Sequence, residues 1–226
     1  MALAHSTRLL SALLVVGFAL PATAGAQTTG GSSAPDAQPA TGVALTAGPH
    51  ALLGRATKLT GTVKRRYRGR IVRIQRYDEG AARWRSEARA VVARNGGFAA
   101  RWRPQALGAT RVRAALQRRR AASVTTASPE VAVRVFQPGK ATYYGPGLYG
   151  NKTACGQELT PDLVGIAHRT LPCGTPVEIA YGGTSIVVPV IDRGPFVAGI
   201  TWDLTEAAAT QLGITATVRV GALVNP

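Results

Sequence analysis

The sequence contains few of the residues that bind metals. Its 226 residues include two cysteines, three histidines and one methionine. The histidines are scattered, and neither they nor the cysteines fall at the ligand spacing of a zinc site. We therefore expect no metal centre and no other cofactor.

Long hydrophobic runs are also scarce. The one marked run, residues 9–20, follows Arg8 and precedes small residues at positions 22, 24 and 26, a pattern that predicts an export signal over residues 1–26. A membrane span takes about 20 apolar residues, and no later segment is long and apolar enough. We expect an exported chain without a transmembrane segment. Because no cysteine follows the signal directly, we expect no lipid anchor.

Export bears on the two cysteines, Cys155 and Cys173. Cysteines of exported proteins tend to pair, and a bridge over this separation would stabilise the fold by about 3 kcal/mol. The alternative is a pair of buried free thiols.

Acidic residues are few and unevenly placed. The chain carries 27 Lys and Arg against 11 Asp and Glu, for a net charge of +16. Residues 48–137 hold 21 of the basic residues and four acidic ones, whereas residues 138–226 hold five and six. A strongly basic half and a near-neutral half indicate two domains with different roles.

Aromatic residues are absent from residues 27–47, which consist largely of Thr, Gly, Ser, Ala, Pro and Gln. Such a segment cannot bury a core, so we expect a disordered linker there.

Residues 48–137 read as short strands separated by turns. Alternation is clear in residues 70–76 and 131–135, and Asn95-Gly96-Gly97 predicts a hairpin turn. Several short strands without a convincing helix predict an immunoglobulin-like (Ig-like) β-sandwich. The strand candidates are residues 57–64, 70–77, 88–94, 98–103, 111–117 and 130–136.

Residues 138–226 also read as mainly β, with one short helix. Asp203 is the predicted N-cap of this helix, Glu206 follows three residues later, and Gly213 closes it. We expect a compact barrel. The strand candidates are residues 140–144, 165–168, 176–180, 184–191 and 217–220.

Two aspartates stand out in this half. Residues 190–196 read Val-Ile-Asp-Arg-Gly-Pro-Phe and residues 202–204 read Trp-Asp-Leu. A strand would therefore deliver Asp192 to a cleft, and the next element would deliver Asp203. Paired carboxylates are the usual groups for chemistry at glycosidic bonds.

Further motifs occur in order upstream of the aspartates. Residues 141–145 read Ala-Thr-Tyr-Tyr-Gly, residues 153–156 read Thr-Ala-Cys-Gly, and residues 167–175 read Ala-His-Arg-Thr-Leu-Pro-Cys-Gly-Thr. With the two aspartate motifs, this series resembles the RlpA-like (rare lipoprotein A) double-psi β-barrel family over residues 140–223. The resemblance implies a six-stranded double-psi barrel with one short helix.

The resemblance also implies a function. Members of that family are exported wall proteins that cut peptidoglycan glycan strands as lytic transglycosylases, so we expect a secreted protein of the bacterial cell wall or periplasm. Expansins, which loosen walls without hydrolysis, share the barrel. Where catalytic members carry a glutamate and an aspartate, this chain has Gln157 and Thr160. A non-catalytic, expansin-like binding or loosening module is therefore the alternative.

Three residues are the catalytic candidates. Asp203 either only caps the helix or is also the general acid, with a pKa raised by burial or by Asp192. Asp192 either bonds the amides of its own turn near Gly194 or pairs with Arg193, or it stabilises positive charge on the sugar. His168, which the resemblance matches to the family histidine, either bonds a backbone carbonyl or orients a carboxylate or a sugar hydroxyl.

Five further residues are expected to bind the substrate. Tyr143 and Tyr144 alternate on one strand, so one faces the core and the other is free to stack on a sugar. The others are Arg193, Trp202 and Glu158, which lies one place from the family position.

The basic half has two interpretations. Its arginines, part of 23 in the chain against four lysines, either form a merely solvated face or bind anionic wall polymers or lipid headgroups. Nucleic acid would match the charge, but the export signal argues against it.

Overall fold

Nearly all of the regular structure is β-strand, as the short alternating segments predict. A computed structural model describes residues 42–117 and 124–226. The predicted export signal and residues 27–41 of the predicted linker lie outside the described residues.

The first half consists of two facing sheets. Its strands are β1 (Val43–Thr46), β2 (His50–Leu52), β3 (Thr57–Val63), β4 (Ile71–Asp78), β5 (Arg83–Val91), β6 (Gly97–Trp102), β7 (Gly108–Gln117), β8 (Val124–Ala127) and β9 (Val131–Tyr144). One sheet has the order β1-β3-β6 and the other β5-β4-β7-β9, with β2 beside β9 and β8 beside β7. We call this half the sandwich.

The sandwich encloses a single apolar core. Leu59 and Trp102 enter it from the three-stranded sheet, and Ile74 and Leu116 from the other; all four are fully buried. Along β4, buried Ile74 is followed by a register irregularity, and elsewhere the alternation predicts the inward side chains.

The second half is a closed barrel of six strands. Its elements after β9 are β10 (Ile166–Ala167), β11 (Pro176–Tyr181), β12 (Thr184–Asp192), β13 (Trp202–Thr205), α1 (Glu206–Leu212) and β14 (Val218–Val224). Neighbours follow the order β9-β13-β10-β12-β11-β14, and β14 pairs with β9 to close the ring. Within the described ranges, no helix is long and apolar enough to cross a membrane.

β9 belongs to both halves. Its first part, from Val131 to Val135, pairs with β7 of the sandwich. Its last part pairs with β14 and β13 of the barrel. The boundary predicted at residues 137/138 therefore falls inside one strand, and residues 42–117 and 124–226 lie in one compact unit.

An ion pair joins the halves beside β9. Arg134 of the sandwich lies 2.6 Å, from Nε to Oε2, from Glu178 of the barrel. Glu178 is buried, and its other oxygen accepts a hydrogen bond from the Ser185 hydroxyl. A buried carboxylate needs such partners, because burial of an unpaired charge is costly.

The predicted hairpin at Asn95 is wrong, although the turn itself forms. The Gly96 amide donates to the Ala93 carbonyl, and the Gly97 amide donates to the Asn95 side chain. However, β5 pairs with β4, whereas β6 pairs with β3. The turn carries the chain from one sheet to the other, because local turn chemistry sets the reversal and not the pairing partner.

The end of the predicted linker is also ordered. β1 lies within residues 27–47, and its Val43 is fully buried in the sandwich core. One apolar side chain and four pairs with β3 outweigh a composition typical of linkers.

The helix begins two residues later than predicted. Thr205, not Asp203, is the N-cap: its hydroxyl accepts a hydrogen bond from the Ala208 amide. Asp203 lies in β13 instead. The predicted closing residue is confirmed, since Gly213 has the left-handed backbone (φ 68°) that favours glycine.

Candidate functional site

The barrel brings the two predicted aspartates to neighbouring places. Ala167 of β10 is paired with Asp192 of β12 on one side and with Asp203 of β13 on the other. Paired residues of adjacent strands share a face of the sheet. Both carboxylates therefore lie on one face, with Cα atoms about 10 Å apart at two strand spacings.

The carboxyl group of Asp203 is partly buried. Its Oδ1 accepts a hydrogen bond from the Thr142 hydroxyl at 2.7 Å. Burial raises the pKa of Asp203, the Thr142 hydrogen bond opposes this, and the negative charge of Asp192 raises it further. A carboxyl group whose pKa is raised retains its proton to higher pH, as a general acid must.

Asp192 is held by backbone amides. Its Oδ1 accepts hydrogen bonds from the amides of Ala154 and Arg193, both at 2.8 Å. The predicted bonding to the amides of its own turn is thus observed for Arg193. The bond to Ala154 additionally ties the 153–156 turn to the site.

Tyr144, and not Tyr143, faces the carboxylates. The pKa of Tyr144 is raised by burial and by the negative charges of Asp192 and Asp203. Its hydroxyl is buried without a well-formed hydrogen bond among the described residues. Tyr143 points the other way and is exposed, so the tyrosine that is open to solvent is not the one beside the acids.

His168 supports a loop. Its Nδ1 accepts hydrogen bonds from the amides of Thr170 and Leu171, and its ring packs on the Trp202 indole with centroids 4.7 Å apart. Trp202 precedes Asp203 in β13, so the two side chains point to opposite faces. Burial, Arg169 and Arg193 lower the pKa of His168. The structure does not bring His168 into contact with either carboxylate.

Arg193 contacts protein backbone rather than open space. Its Nη1 donates to the carbonyl oxygens of His168 and Leu171, at 3.3 and 2.8 Å, and its Nη2 contacts the Cys173 sulfur. The guanidinium thus fixes the 168–173 loop, and these contacts leave it little freedom to bind a ligand.

Two other residues predicted to bind substrate lie apart from the acids. Trp202 is buried in the barrel core, and its contact with substrate stays a prediction. Glu158 is exposed and pairs through its backbone with Lys152. Among the described residues it forms no hydrogen bond or ion pair with Asp192 or Asp203. The neighbouring Gln157 is exposed and accepts a hydrogen bond from the Thr153 hydroxyl.

The predicted disulfide is confirmed. Cys155 and Cys173 are bonded, with Cα atoms 5.8 Å apart. The bridge joins the turn that bonds Asp192 to the loop that Arg193 holds. It therefore braces the backbone around one carboxylate from two sides.

Two supporting residues were not predicted from the sequence. Thr142 reaches Asp203 through the parallel pairing of β9 with β13, a long-range register that no local pattern encodes. Arg169 donates to the carbonyl oxygens of Pro195, Val197 and Ile200. The sequence signal for Arg169 was that it is one of only five basic residues in the barrel half.

Two cavities of the described residues lie apart from the carboxylates. A cavity of about 340 Å³ is lined by His50, Phe136 and Tyr181, and another of about 620 Å³ by Leu107 and Trp202. Neither aspartate lines either cavity. In the described part of the chain, no group of three or more His, Cys, Asp or Glu is arranged to hold a metal ion.

Comparison with known proteins agrees with this geometry. Residues 137–223 match the family model for lytic transglycolase. That range covers the barrel with both aspartates and excludes most of the sandwich.

Curated relatives match the same half. The chain is 40% identical over 95 residues to the probable endolytic peptidoglycan transglycosylase RlpA of Synechocystis sp., covering 41% of this chain and 30% of the relative. It is 38% identical to the endolytic peptidoglycan transglycosylase RlpA of Campylobacter jejuni, over 38% and 32% of the two chains. It is 41% identical to the endolytic peptidoglycan transglycosylase RlpA of Yersinia pestis, over 37% of this chain and 24% of the relative. The chain thus spans about a third or less of the length of these relatives.

Proposed function

We propose that this protein is an exported RlpA-type lytic transglycosylase that acts on the glycan strands of peptidoglycan. One observation carries the proposal: within a segment that matches the lytic transglycolase family, a carboxyl group of raised pKa, Asp203, shares one face of the sheet with a second carboxylate, Asp192.

Asp203 is the general acid of this proposal. Its proton passes to the glycosidic oxygen while the bond from that oxygen to the sugar C1 breaks. The sugar's own 6-hydroxyl then forms the new bond to C1 and returns a proton to Asp203. One acid/base group completes the cycle, and the products are an anhydro end and a free hydroxyl end.

Asp192 supplies charge rather than a proton. Fixed by two backbone amides, it is placed to stabilise the positive charge that develops on the sugar ring. The Tyr144 hydroxyl lies by both acids and, because it is buried, would act on the acids rather than on the sugar. A catalytic role for His168 and sugar contacts of Tyr143 and Glu158 stay predictions.

A non-catalytic, expansin-like module is the second candidate. Gln157 and Thr160 occupy positions where the catalytic relatives are expected to carry acids, and Gln157 is engaged by Thr153. In this case the same face would bind glycan strands and loosen the wall without cleaving it.

Digestion of peptidoglycan separates the two candidates. Purified protein incubated with sacculi is expected to release anhydro-muropeptides, and Asp203→Asn is expected to slow release by at least about 100-fold, the typical contribution of a general acid. Binding to sacculi without release by the wild-type protein would support the expansin-like module. Neither binding nor release would contradict both.

The sandwich would adopt an Ig-like topology and serve as a delivery module. Its strand order, β1-β3-β6 against β5-β4-β7-β9, supports an Ig-like arrangement. Its basic surface would bind anionic wall polymers or lipid headgroups. The domain limits 48–137 and 138–226 then describe functional halves, and the place of action would be the bacterial cell wall or periplasm.

A further inference from the structure

Phe196 is an exposed aromatic side chain that lies four positions after Asp192. Its side chain is one of the most solvent-accessible large apolar groups described, with 81% of the residue exposed. It follows Asp192 by four positions, so the chain between them spans at most about 14 Å. The side chain contributes nothing to either apolar core.

The loop that carries Phe196 is fixed. Arg169 donates hydrogen bonds to the carbonyl oxygens of Pro195, Val197 and Ile200, at 2.6, 2.8 and 3.0 Å. These bonds bracket Phe196 on both sides. The backbone of the aromatic residue is therefore held in one place without burial of its ring.

Gly194 shapes the loop beside the ring. Its φ of 126° lies in the region that favours glycine, and a Cβ atom built there would come within 3.8 Å of the Phe196 ring atoms Cδ2 and Cε2. The ring therefore lies near the Gly194 backbone, with most of its surface facing solvent.

An exposed ring on an anchored loop, four positions after Asp192, matches the chemistry of a sugar chain. The face of an aromatic ring carries partial negative charge, and the C–H groups of one face of a pyranose carry partial positive charge. Because the backbone that carries it is already held, the ring loses less conformational entropy on binding than a ring on a free loop would. Hydroxyls of the same sugar chain remain free to contact Asp192.

We propose that Phe196 is a stacking platform for an N-acetylated sugar of the glycan strand, in the subsite next to the one that is cleaved. The assignment rests on the proposed function. It makes Phe196 a binding residue that sets the register of the strand over Asp203, without any part in proton transfer.

Glycan binding tests the platform apart from catalysis. In the Asp203→Asn background, we expect Phe196→Ala to weaken the affinity for soluble glycan strands by about three- to tenfold, the range for one aromatic contact. Phe196→Trp should retain the affinity, and Phe196→Leu, which keeps apolar area without a ring, should lose most of it. Unchanged affinity in Phe196→Ala, or full affinity in Phe196→Leu, would overturn the platform.

A matched control is Val187→Ala. Val187 is an exposed apolar residue of the same strand as Asp192, roughly 16 Å away along that strand, and its replacement should leave the affinity unchanged. Thermal unfolding of each variant should match the wild type, because the Phe196 ring is exposed. If wild-type protein neither binds nor cleaves glycan strands, the proposed function itself fails; if it does both and Phe196→Ala is equal to it, only the platform fails.

Discussion

At the scale of single residues, the proposed chemistry depends on one carboxyl group, that of Asp203, which is partly shielded from solvent. Asp203 is half-buried, and its Oδ1 accepts a hydrogen bond from the Thr142 hydroxyl. Asp192 lies on the other side of Ala167, two strands away from Asp203. The two acids therefore have different environments, which is how a pair of like residues takes different roles.

Replacement of Asp203 should stabilise the fold at neutral pH. Its folded-state pKa is raised, chiefly by burial, so the folded protein binds the proton more tightly than the unfolded chain. That stabilising contribution is complete below the unfolded pKa and is lost as pH rises through the folded pKa. Asp203→Asn keeps an acceptor for Thr142 and cannot ionise, so its melting temperature should exceed the wild-type value near pH 7.

The gain in melting temperature of Asp203→Asn should disappear at acid pH. Below the unfolded pKa, both proteins are neutral at this position and should melt together. A lower melting temperature for Asp203→Asn at pH 7 would contradict the raised pKa.

The negative charge of Asp192 should raise the pH at which activity is lost on the alkaline side. Its negative charge contributes to the raised pKa of Asp203, after the larger effect of burial. With Asp192→Asn the Asp203 proton should be lost at lower pH, so the alkaline limb of the rate profile should move to lower pH. Anhydro-muropeptide release measured from pH 3 to 8 would show it, and an unmoved or raised limb would rule out the coupling.

At the scale of elements, arginines act as supports for loops. Arg193 fixes the 168–173 loop, and Arg169 fixes the 195–200 loop. Both guanidiniums bond carbonyl oxygens that no strand satisfies, which is the use of a planar group with several donors. Arg193 thus has a structural role, and its predicted contact with substrate stays a prediction.

Loss of Arg169 should loosen one loop and destabilise the protein. Arg169→Ala removes three hydrogen bonds to backbone oxygens, and we expect a loss of about 1–3 kcal/mol in urea unfolding. Faster amide hydrogen exchange should be confined to residues 195–200. Arg219→Ala, at an exposed barrel position, is the control and should stay within about 0.5 kcal/mol of wild type. Equal stability of both variants would contradict the support role.

Local patterns predicted the elements well and their partners poorly. Most of the longer strands and the closing Gly213 follow from alternation and turn residues, because those signals act within a few residues. The short strands β1, β2, β8 and β13 were missed, and the candidates at residues 130–136 and 140–144 form one strand, β9. The pairing that puts Thr142 on Asp203, the sheet change after Asn95 and the cap at Thr205 depend on contacts far along the chain. No short pattern contains that information.

At the scale of the whole molecule, the strongly basic half and the near-neutral half share one strand, β9. The different charge of residues 48–137 and 138–226 predicted a boundary at residues 137/138. In the fold, Gly139 continues β9 because a Cβ atom there would come within 2.9 Å of the Trp202 Nε1. Glycine is needed for close packing at this place, which sequence patterns do not distinguish from a turn.

Wall association through the basic half should depend on salt. Screening shortens electrostatic attraction from about 10 Å at 0.1 M to about 3 Å at 1 M, so retention on sacculi should fall over that range. Lys58 and Arg101 are exposed and directly paired across β3 and β6, and replacing both with Gln should weaken retention in low salt. Retention that ignores both salt and this double change would contradict adhesion by charge.

The continuity of β9 has a mechanical meaning. Most two-domain proteins place a hinge between their parts, but here a single strand, with the buried Glu178 pairing beside it, serves both cores. Melting either half strips the other of a partner strand, so both should denature in one cooperative step. Asp192 and Asp203 should consequently keep a fixed position relative to the basic surface of the sandwich, and so to any surface that the sandwich would bind.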